Sequence, residues 1–411
     1  MERRSRQIHP AARRHTARPL EEALMGTGPL EGITVVDVSS AVAGAWVSTH
    51  LAEMGADVVM IEKVGASDVM RLTGAIVGDQ SGCWVQMHRN KRGMDLNIRE
   101  PAGREILLQL VEGADVFIQN FRPGVAERLR IGYDDLSAVK PDLVYLSVSG
   151  FGRSGPYAHQ PVYDPIIQSL SGMTEAQGGD FVKSATADKT TAMTGATAVL
   201  GALLARANGA GGQHVEVNLL DSTLSWMWLD YFWNESVPDA IPTPSYSEWY
   251  SPWQTTDGSV GAIWPADDQY ARVCVKLGVP HLIDDPRFAT REARIRNSNE
   301  HQEVFAKLLG EFTTAEALTA LESADVPCAP VLDITEVFDD PQVQHNETVL
   351  THHHPAVGQI RTTRFPARFS KTPTELERLA PAKGEHTDEV LAELGHSPAE
   401  IAALRNGGIV A

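Results

Sequence analysis

Cysteine and positive charge are both scarce in this chain of 411 residues. The three cysteines, Cys83, Cys274 and Cys328, are too few and too scattered for a disulfide framework or a cysteine-based zinc site, which suits a reducing cytosol. Lysines and arginines number 35 against 53 aspartates and glutamates, so the formal net charge is −18. This balance argues against a general basic surface for nucleic acid, and we expect a cytoplasmic protein without a nucleic-acid partner.

Long apolar runs and the common nucleotide and hydrolase motifs are also missing. No uninterrupted stretch of about 18 apolar residues occurs, so we expect no membrane-spanning segment and no membrane partner. The best candidate, residues 190–207, is rich in glycine and alanine and contains Arg206, which predicts a buried helix. The G-x-S-x-G and Walker A patterns are absent, so serine-hydrolase and P-loop chemistry have no support.

The first 19 residues differ in composition from the rest of the chain. They contain a single acid, Glu2, and the arginines Arg3, Arg4, Arg6, Arg13, Arg14 and Arg18. The segment lacks the apolar core of a signal peptide. We therefore predict a disordered basic tail over residues 1–28, with a targeting segment as the alternative.

Strand and helix patterns alternate through the first half of the chain. Residues 33–38 and 56–61 are apolar and β-branched, typical of parallel strands buried on both faces, and residues 45–54 between them have helical spacing. Further strands are predicted at 115–119, 143–148 and 214–220. This alternation predicts an α/β fold with a Rossmann-like open parallel sheet.

The composition changes after residue 225, where tryptophans, tyrosines and prolines accumulate. A new set of predicted strands and helices follows from about residue 255, and a closing helix is expected near 387–394. We therefore predict a large domain at 29–225, a linker at 226–254, a smaller α+β domain at 255–335, and a C-terminal segment at 336–411 that returns to the large domain.

Two features of the first strand–helix–strand unit bear on whether it binds a dinucleotide. The turn at 39–44 lacks the G-x-G-x-x-G pattern that brings a pyrophosphate to a helix N-terminus. Glu62 stands where an acid binds ribose hydroxyls, but the next residue is Lys63, which favours a phosphate over a bare ribose. A scaffold without a dinucleotide is the favoured interpretation.

Residues 63–104 are locally basic within an acidic chain, and the run RNKRG at 89–93 is the densest part. Arginine forms charge-assisted, often bidentate bonds with phosphate. Two hypotheses therefore remain open for the segment 63–104: a phosphate-bearing ligand, or a solvated positive face. Elsewhere, His352, His353 and His354 are flanked by loop residues and lack further ligands at helical spacing, so we expect no metal site.

A glycine-rich turn and an aspartate are candidates for chemistry. The turn at 150–157 directly follows a predicted strand, at the sheet edge where open α/β folds place ligands. Asp188 precedes the glycine- and alanine-rich helix predicted over residues 191–207. A carboxylate in this position is either the N-cap of that helix or a fixed, ionised nucleophile.

Motifs in a fixed order run through the chain from residue 29 onward. They are LAEMGADVVMIEK at 51–63, RNKRGMDL at 89–96, ADVFIQNFRPG at 114–124, GFGRSGPY at 150–157, NGAGGQHVEVNLLD at 208–221, VPCAPV at 326–331 and GEHTDEVLAEL at 384–394. In kind and order they resemble the class III CoA-transferases, the CaiB/BaiF family. This family includes formyl-CoA:oxalate and carnitine CoA-transferases and the 2-methylacyl-CoA racemases.

The resemblance implies a fold, a reaction and partners. The expected fold is a large Rossmann-like, CoA-binding domain with a smaller domain, in a homodimer whose two chains interlock. The expected reaction moves CoA from an acyl-CoA to a free carboxylic acid through an aspartyl mixed anhydride. Coenzyme A is then a substrate, and no permanently bound cofactor or metal is needed.

The resemblance also implies roles for individual residues. Asp188 matches the family's catalytic aspartate, and Tyr163 and Asp164 match positions beside the acyl group. Gly150 and Gly152 are expected in the substrate site, where backbone N–H groups of the turn or of the following helix stabilise an oxyanion. The expected CoA contacts are Lys63, Leu96, Arg99, Asn120, Phe121, Arg128 and Leu129.

Departures from the family patterns leave alternatives open. Racemase members have Gly-His-Asp where this chain has Val162-Tyr163-Asp164, and tyrosine is a poor acid/base group at neutral pH. Transferase is therefore preferred over 2-methylacyl-CoA racemase, and a non-catalytic CoA-binding homologue is the third alternative. Val42 and the absence of a glycine run at 240–270 do not support oxalate as substrate. The aromatic residues Tyr246, Trp249, Tyr250, Trp253 and Trp264 either line an acyl pocket or pack the linker.

Overall fold

The computed structural model describes residues 28–243 and 250–411. The predictions for residues 1–27, Tyr246 and Trp249 concern residues outside these ranges. The strands of the described part are β1 Thr34–Asp37, β2 Asp57–Glu62, β3 Ile76–Val77, β4 Gln80–Ser81, β5 Lys91–Asp95, β6 Val116–Gln119, β7 Val144–Ser149, β8 Gln213–Asn218, β9 Trp253–Gln254, β10 Ser259–Ala262, β11 Cys328–Pro330, β12 Val349–His354 and β13 Gly358–Thr363.

The helices of the same part are distributed along the whole chain. They are α1 Ala43–Glu53, α2 Gly82–Met87, α3 Pro101–Gly113, α4 Val125–Arg128, α5 Tyr133–Val139, α6 Asp164–Leu170, α7 Met173–Ala176, α8 Thr186–Ala205, α9 Leu219–Tyr231, α10 Trp233–Ser236, α11 Asp267–Lys276, α12 Arg291–Arg296, α13 Ser298–Leu309, α14 Thr314–Ser323, α15 Pro341–His345, α16 Thr387–Glu393 and α17 Pro398–Asn406. None of these helices is long and apolar enough to cross a membrane.

Six strands form one parallel sheet in the order β5-β2-β1-β6-β7-β8. Strand β1 shows why both faces are covered. Val35 packs on one face with Val47 of α1 and residues of α8, whereas Val36 packs on the other face with Ile106 of α3. Successive residues of a strand point to opposite faces, so a run of apolar residues requires helices on both. The predicted α/β open parallel sheet is confirmed.

Strand β5 was not predicted, because its sequence KRGMD is too polar for a buried strand. It pairs with β2 and takes up most of the basic run, whose cations all face carboxylates: Arg89 with Glu53, Lys91 with Asp37, and Arg92 with Asp57, Glu389 and Glu393. Buried charges require such partners. The cations of this run are buried and therefore form neither a solvated face nor an open phosphate site. Lys63 and Arg99 of the same basic segment are exposed.

Helix α8 explains the glycine and alanine content of its sequence. A Cβ added at Gly195 would lie 2.8 Å from Val47 Cγ2, so only small residues permit α8 to approach α1 this closely. The helix begins at Thr186, several residues earlier than predicted, with Ala185 at the N-cap. The prediction of Asp188 as an N-cap was therefore wrong, because Asp188 lies inside the first turn.

A second apolar core is built from β9, β10 and α11–α14. Trp253 and Trp264 stack within it, with ring centroids 5.3 Å apart, and both contact the core residue Phe305. These two tryptophans therefore pack the core around β9 and β10, whereas Tyr250 is exposed. The sheet of this region is antiparallel, in the order β11-β10-β9.

Residues 349–411 contribute a hairpin and two helices. His352, His353 and His354 lie in β12, which pairs with β13, rather than in a loop as expected. No group of three metal-ligating side chains occurs in the described residues. The helices α16 and α17 pack on the β1–β6 sheet: Val390 and Ile401 belong to the same buried cluster as Val36.

Candidate active site

The carboxyl ends of all six parallel strands lie along one edge of the sheet. The order of the strands changes direction between β1 and β6, because the chain continues from β1 to β2 and β5 on one side and from β6 to β7 and β8 on the other. Open α/β sheets bind ligands in the crevice at such a point. The loops that follow β1 and β6 are joined there by one side chain. Asn120 accepts a hydrogen bond from the Ser40 N–H (3.0 Å) and donates one to the Ser40 carbonyl (2.7 Å).

The expected CoA contacts are distributed along this edge. Lys63 follows β2, Leu96 and Arg99 follow β5, Asn120 and Phe121 follow β6, and Arg128 and Leu129 lie at the end of α4. At about 4.8 Å per strand, the row from β5 to β6 spans roughly 14 Å, which suits an elongated ligand.

The side chains in this row are not equally accessible. Lys63, Arg99 and Arg128 are exposed, and Phe121 is half-buried. Leu96 is the exception, since only 1% of it is exposed and it packs in the core beneath the edge. The cations are thus available to a ligand, whereas the Leu96 side chain is not.

One contributor to this edge was missed by sequence reasoning. The Lys383 Nζ donates to the Lys63 carbonyl (3.1 Å) and forms an ion pair with the buried Asp95 Oδ1 (2.8 Å). Lys383 directly precedes the motif at 384–394, which was the only signal for it. The C-terminal segment therefore holds the backbone of the expected CoA contact Lys63.

The glycine-rich turn after β7 requires glycine for a steric reason. A Cβ on Gly150 would lie 2.2 Å from Val162 Cγ1, in the residue before Tyr163. Gly152 has a φ of +94°, and its N–H donates to Ser149 Oγ (3.1 Å). The turn thus brings the 162–164 segment against the end of β7, and the Gly152 N–H already has an acceptor.

Asp188 lies in the first turn of α8, partly buried at the carboxyl edge of the sheet. Its pKa is raised to about 7, first because burial disfavours the charged form and second because of the negative charge of Asp164. In residues 28–243 and 250–411 no hydrogen-bond donor contacts the Asp188 carboxylate. A desolvated, unpaired carboxylate of this kind can act as a nucleophile.

Asp164 and Tyr163 lie at the start of α6 with very different exposure. Asp164 is 5% exposed and accepts a hydrogen bond from the Asp188 N–H (3.1 Å), whereas Tyr163 is 71% exposed. The other Asp164 oxygen accepts from Gln168 Nε2 (2.6 Å). The structure therefore brings Asp164 and Asp188 together, with both Asp164 oxygens held by protein groups rather than open to a substrate.

The cation nearest to Asp188 in sequence does not neutralise it. Lys189 Nζ lies 5.5 Å from the centre of the Trp46 ring and donates to Ser184 Oγ (2.9 Å). The Asp188 carboxylate is consequently left without a salt bridge in the described residues.

The parallel sheet with its small antiparallel sheets is the CaiB/BaiF fold. The chain matches a CaiB/BaiF family protein from Brucella suis with a TM-score of 0.77 and 28% identity, covering 90% of this chain and 100% of that one. Residues 30–387 match CoA-transferase family III, and the chain belongs to this family of enzymes. The family predicted from the motifs is confirmed.

Two curated relatives are similar over nearly their whole length. The human succinyl-CoA:glutarate CoA-transferase is 30% identical over 413 residues, which cover 96% of this chain and 92% of that protein. The formyl-CoA:oxalate CoA-transferase of Escherichia coli is 29% identical over 409 residues, covering 92% and 98% respectively.

Proposed function

We propose that this protein transfers CoA from an acyl-CoA thioester to a free carboxylic acid, with Asp188 as the acyl carrier. The observation that carries the proposal is the Asp188 carboxylate itself. It is partly buried, has a pKa of about 7, and lies at the sheet edge along which the exposed cations are arranged.

The proposed reaction begins with attack of the Asp188 carboxylate on the thioester carbonyl. The C–S bond breaks, CoA leaves as the thiolate, and an aspartyl mixed anhydride forms. The acceptor carboxylate then displaces the donor acid from the aspartyl carbonyl, which gives a second mixed anhydride. The thiolate attacks the acceptor carbonyl of this anhydride, and the products are the new thioester and the free Asp188 carboxylate.

Each addition step places negative charge on a carbonyl oxygen. Backbone N–H groups are the usual donors for such an oxyanion, and each is worth about 3 kcal/mol. The turn at 150–155 and the first turn of α8 are the candidate sources. Mixed anhydrides hydrolyse readily, so the site must also exclude water during the reaction.

The exposed cations supply binding energy away from the reacting atoms. Lys63, Arg99 and Arg128 would hold the phosphates of CoA, and such remote binding favours the correct placement of the thioester. The names of the relatives suggest which acyl-CoA and which acceptor acid to test first. Succinyl-CoA with glutarate is the first pair to test, because the human relative is named for it.

We also propose that two copies of this chain interlock as a homodimer, as the resemblance implies. Large apolar side chains are exposed on α6, α8 and α9, including Ile166, Leu170, Met193, Trp226 and Leu229. Exposed apolar surface of this extent is typical of a contact with another protein.

The racemase alternative has less support from the site. Racemases need two acid/base groups, and the position of the racemase histidine is Tyr163, which is 71% exposed. A tyrosine hydroxyl is a poor general acid or base for exchanging an α-proton at neutral pH.

The test is a matrix of acyl-CoAs and carboxylic acids, measured by mass spectrometry. We expect a new acyl-CoA only when both a thioester and an acceptor acid are present. A parallel incubation of 2-methylacyl-CoA in heavy water, without acceptor, should incorporate no deuterium at the α-carbon. Deuterium incorporation without transfer would establish the racemase instead, and CoA binding without either reaction would establish a non-catalytic homologue.

Arg128→Ala is expected to weaken CoA binding more than tenfold, because the exposed Arg128 has no ion-pair partner in the described residues and is free to bind phosphate. The measurement is calorimetric titration with CoA. Lys140→Ala removes the same charge just before β7, at the opposite edge of the sheet, and should leave affinity unchanged. Arg128→Ala should weaken the binding of an acyl-pantetheine, which lacks the nucleotide, less than it weakens the binding of CoA. Equal losses of affinity for the two ligands would show that Arg128 does not bind the phosphates.

A further inference from the structure

A glutamine of α6 is buried against the segment that leads into the Asp188 turn. Gln168 is 1% exposed, and residues 177–185 between α7 and α8 have no regular structure. The Gln168 carboxamide both donates hydrogen bonds to this segment and accepts one from it. Its Oε1 accepts from the Val182 N–H (2.9 Å), and its Nε2 donates to the carbonyls of Val182 (3.1 Å) and Ser184 (3.2 Å).

The same carboxamide also reaches the carboxylate beside Asp188. Nε2 of Gln168 donates to Asp164 Oδ1 at 2.6 Å, and Asp164 Oδ2 accepts from the Asp188 N–H at 3.1 Å. Asp164 and Gln168 are four residues apart, so one helical face presents both groups. One carboxamide therefore connects α6, residues 182–184 and, through Asp164, the first turn of α8.

We propose that Gln168 is a positioning residue of the acyl-transfer reaction, which fixes the Asp188 carboxylate by holding Asp164 and residues 182–184. The inference rests on the proposed role of Asp188 as acyl carrier. Gln168 does not contact the substrate in this role. It acts because an irregular segment carries the nucleophile's turn, and the Gln168 carboxamide ties that segment to α6.

The chemistry of this position requires an amide. Only a carboxamide offers two N–H donors and one carbonyl acceptor in one plane. The two N–H groups are shared among three acceptors, the Asp164 carboxylate and the carbonyls of Val182 and Ser184, while the carbonyl accepts from the Val182 N–H. A glutamate would lose both donors and place a further carboxylate against Asp164. An alanine would leave the buried Asp164 Oδ1 and the Val182 N–H without their partner.

The experiment compares Gln168→Ala and Gln168→Asn with wild type and with the control Gln177→Ala. Gln177 is an exposed glutamine at the end of α7, and its Nε2 donates to the Tyr231 hydroxyl (2.8 Å). We expect kcat of Gln168→Ala to fall about a hundredfold, as a displacement of the reacting group by about 1 Å does, while the Kd for CoA changes less than twofold. The control should change neither quantity.

Gln168→Asn keeps the amide but shortens the side chain by one methylene. We expect this variant to fold more readily than Gln168→Ala, although its amide cannot reach Val182 and Asp164 at the same time. It should also lose kcat, at least tenfold, with normal CoA affinity. The inference is overturned if either folded variant retains kcat within twofold, or if kcat and CoA affinity fall together in proportion to the unfolded fraction. Transfer by Asp188→Asn would instead refute the proposed function, whereas an inactive Asp188→Asn with a fully active Gln168→Ala would refute only this inference.

Discussion

Asp188→Asn is expected to lower CoA transfer by at least about a thousandfold, because an amide oxygen is not a nucleophile toward a thioester. CoA affinity should remain within about twofold, since the exposed cations of the sheet edge are unchanged. Stability should not fall either. Folding raises the pKa of Asp188, so its ionised form destabilises the folded state above the unfolded pKa, and a neutral side chain removes that penalty.

The anhydride itself is tested by trapping. Incubation of wild type with an acyl-CoA and hydroxylamine should leave a hydroxamate on Asp188, detected by peptide mass spectrometry, and Asp188→Asn should show none. Asp180→Asn is the matched control, because Asp180 is an exposed aspartate of the same segment and should remain fully active. Substantial turnover by Asp188→Asn, or a hydroxamate at another residue, would contradict the assignment.

The pKa of Asp188 also fixes the pH dependence of the same reaction. Only the ionised carboxylate attacks, so kcat/KM of wild type, which reports the pKa of the free enzyme, should rise with pH through about 7 and level off above it. Asp164→Asn removes the neighbouring charge, which is the second cause of the raised pKa. Its acid limb should therefore move to lower pH, but only in part, because burial is the larger cause and remains.

Arg71→Ala is expected to destabilise the protein by about 4 kcal/mol, because it leaves a buried carboxylate without its partner. Arg71 is 1% exposed and lies over the Trp84 ring, 3.5 Å from its centre. Its guanidinium donates to both Glu62 oxygens (3.0 and 2.6 Å), to Asp79 Oδ2 (3.0 Å) and to the Pro381 carbonyl (3.3 Å). One side chain thus joins β2, α2 and the C-terminal segment.

The measurement is the free energy of unfolding in urea, with Arg153→Ala as control. Arg153 also has two ion pairs, with Glu127 and Glu216, but it is exposed. Such surface pairs contribute less than about 1 kcal/mol each. A loss at Arg71 no larger than the loss at Arg153 would show that the buried network contributes little to stability.

Much of the fold follows from local sequence patterns. The apolar residues 33–38 predict β1, which the structure places at Thr34–Asp37, and residues 143–148 predict β7, which it places at Val144–Ser149. Such elements are predictable because their periodicity directly reflects burial. Strand β5 is not predictable in this way, because its cations are compensated by carboxylates from distant parts of the chain.

The residues of the candidate site also differ in whether the sequence predicts them. Asp188, Lys63 and Arg128 are predicted from the sequence, because the resemblance to the family implies their roles from their places along the chain. Lys383 and Gln168 are not, because their roles depend on a carbonyl and a carboxylate that only the folded chain brings within hydrogen-bond distance.

The sequence by itself determined the family and the parallel sheet, since these depend on short ordered motifs and on the spacing of apolar residues. Only the tertiary structure decided that the basic run is buried, that Asp188 lies inside a helix turn with no donor to its carboxylate among the described residues, and that Asp164 lies beside it. The physical reason is that burial and pairing of charges are properties of the assembled chain: the pKa of Asp188 is raised by a desolvation and a neighbour that its own sequence segment does not contain.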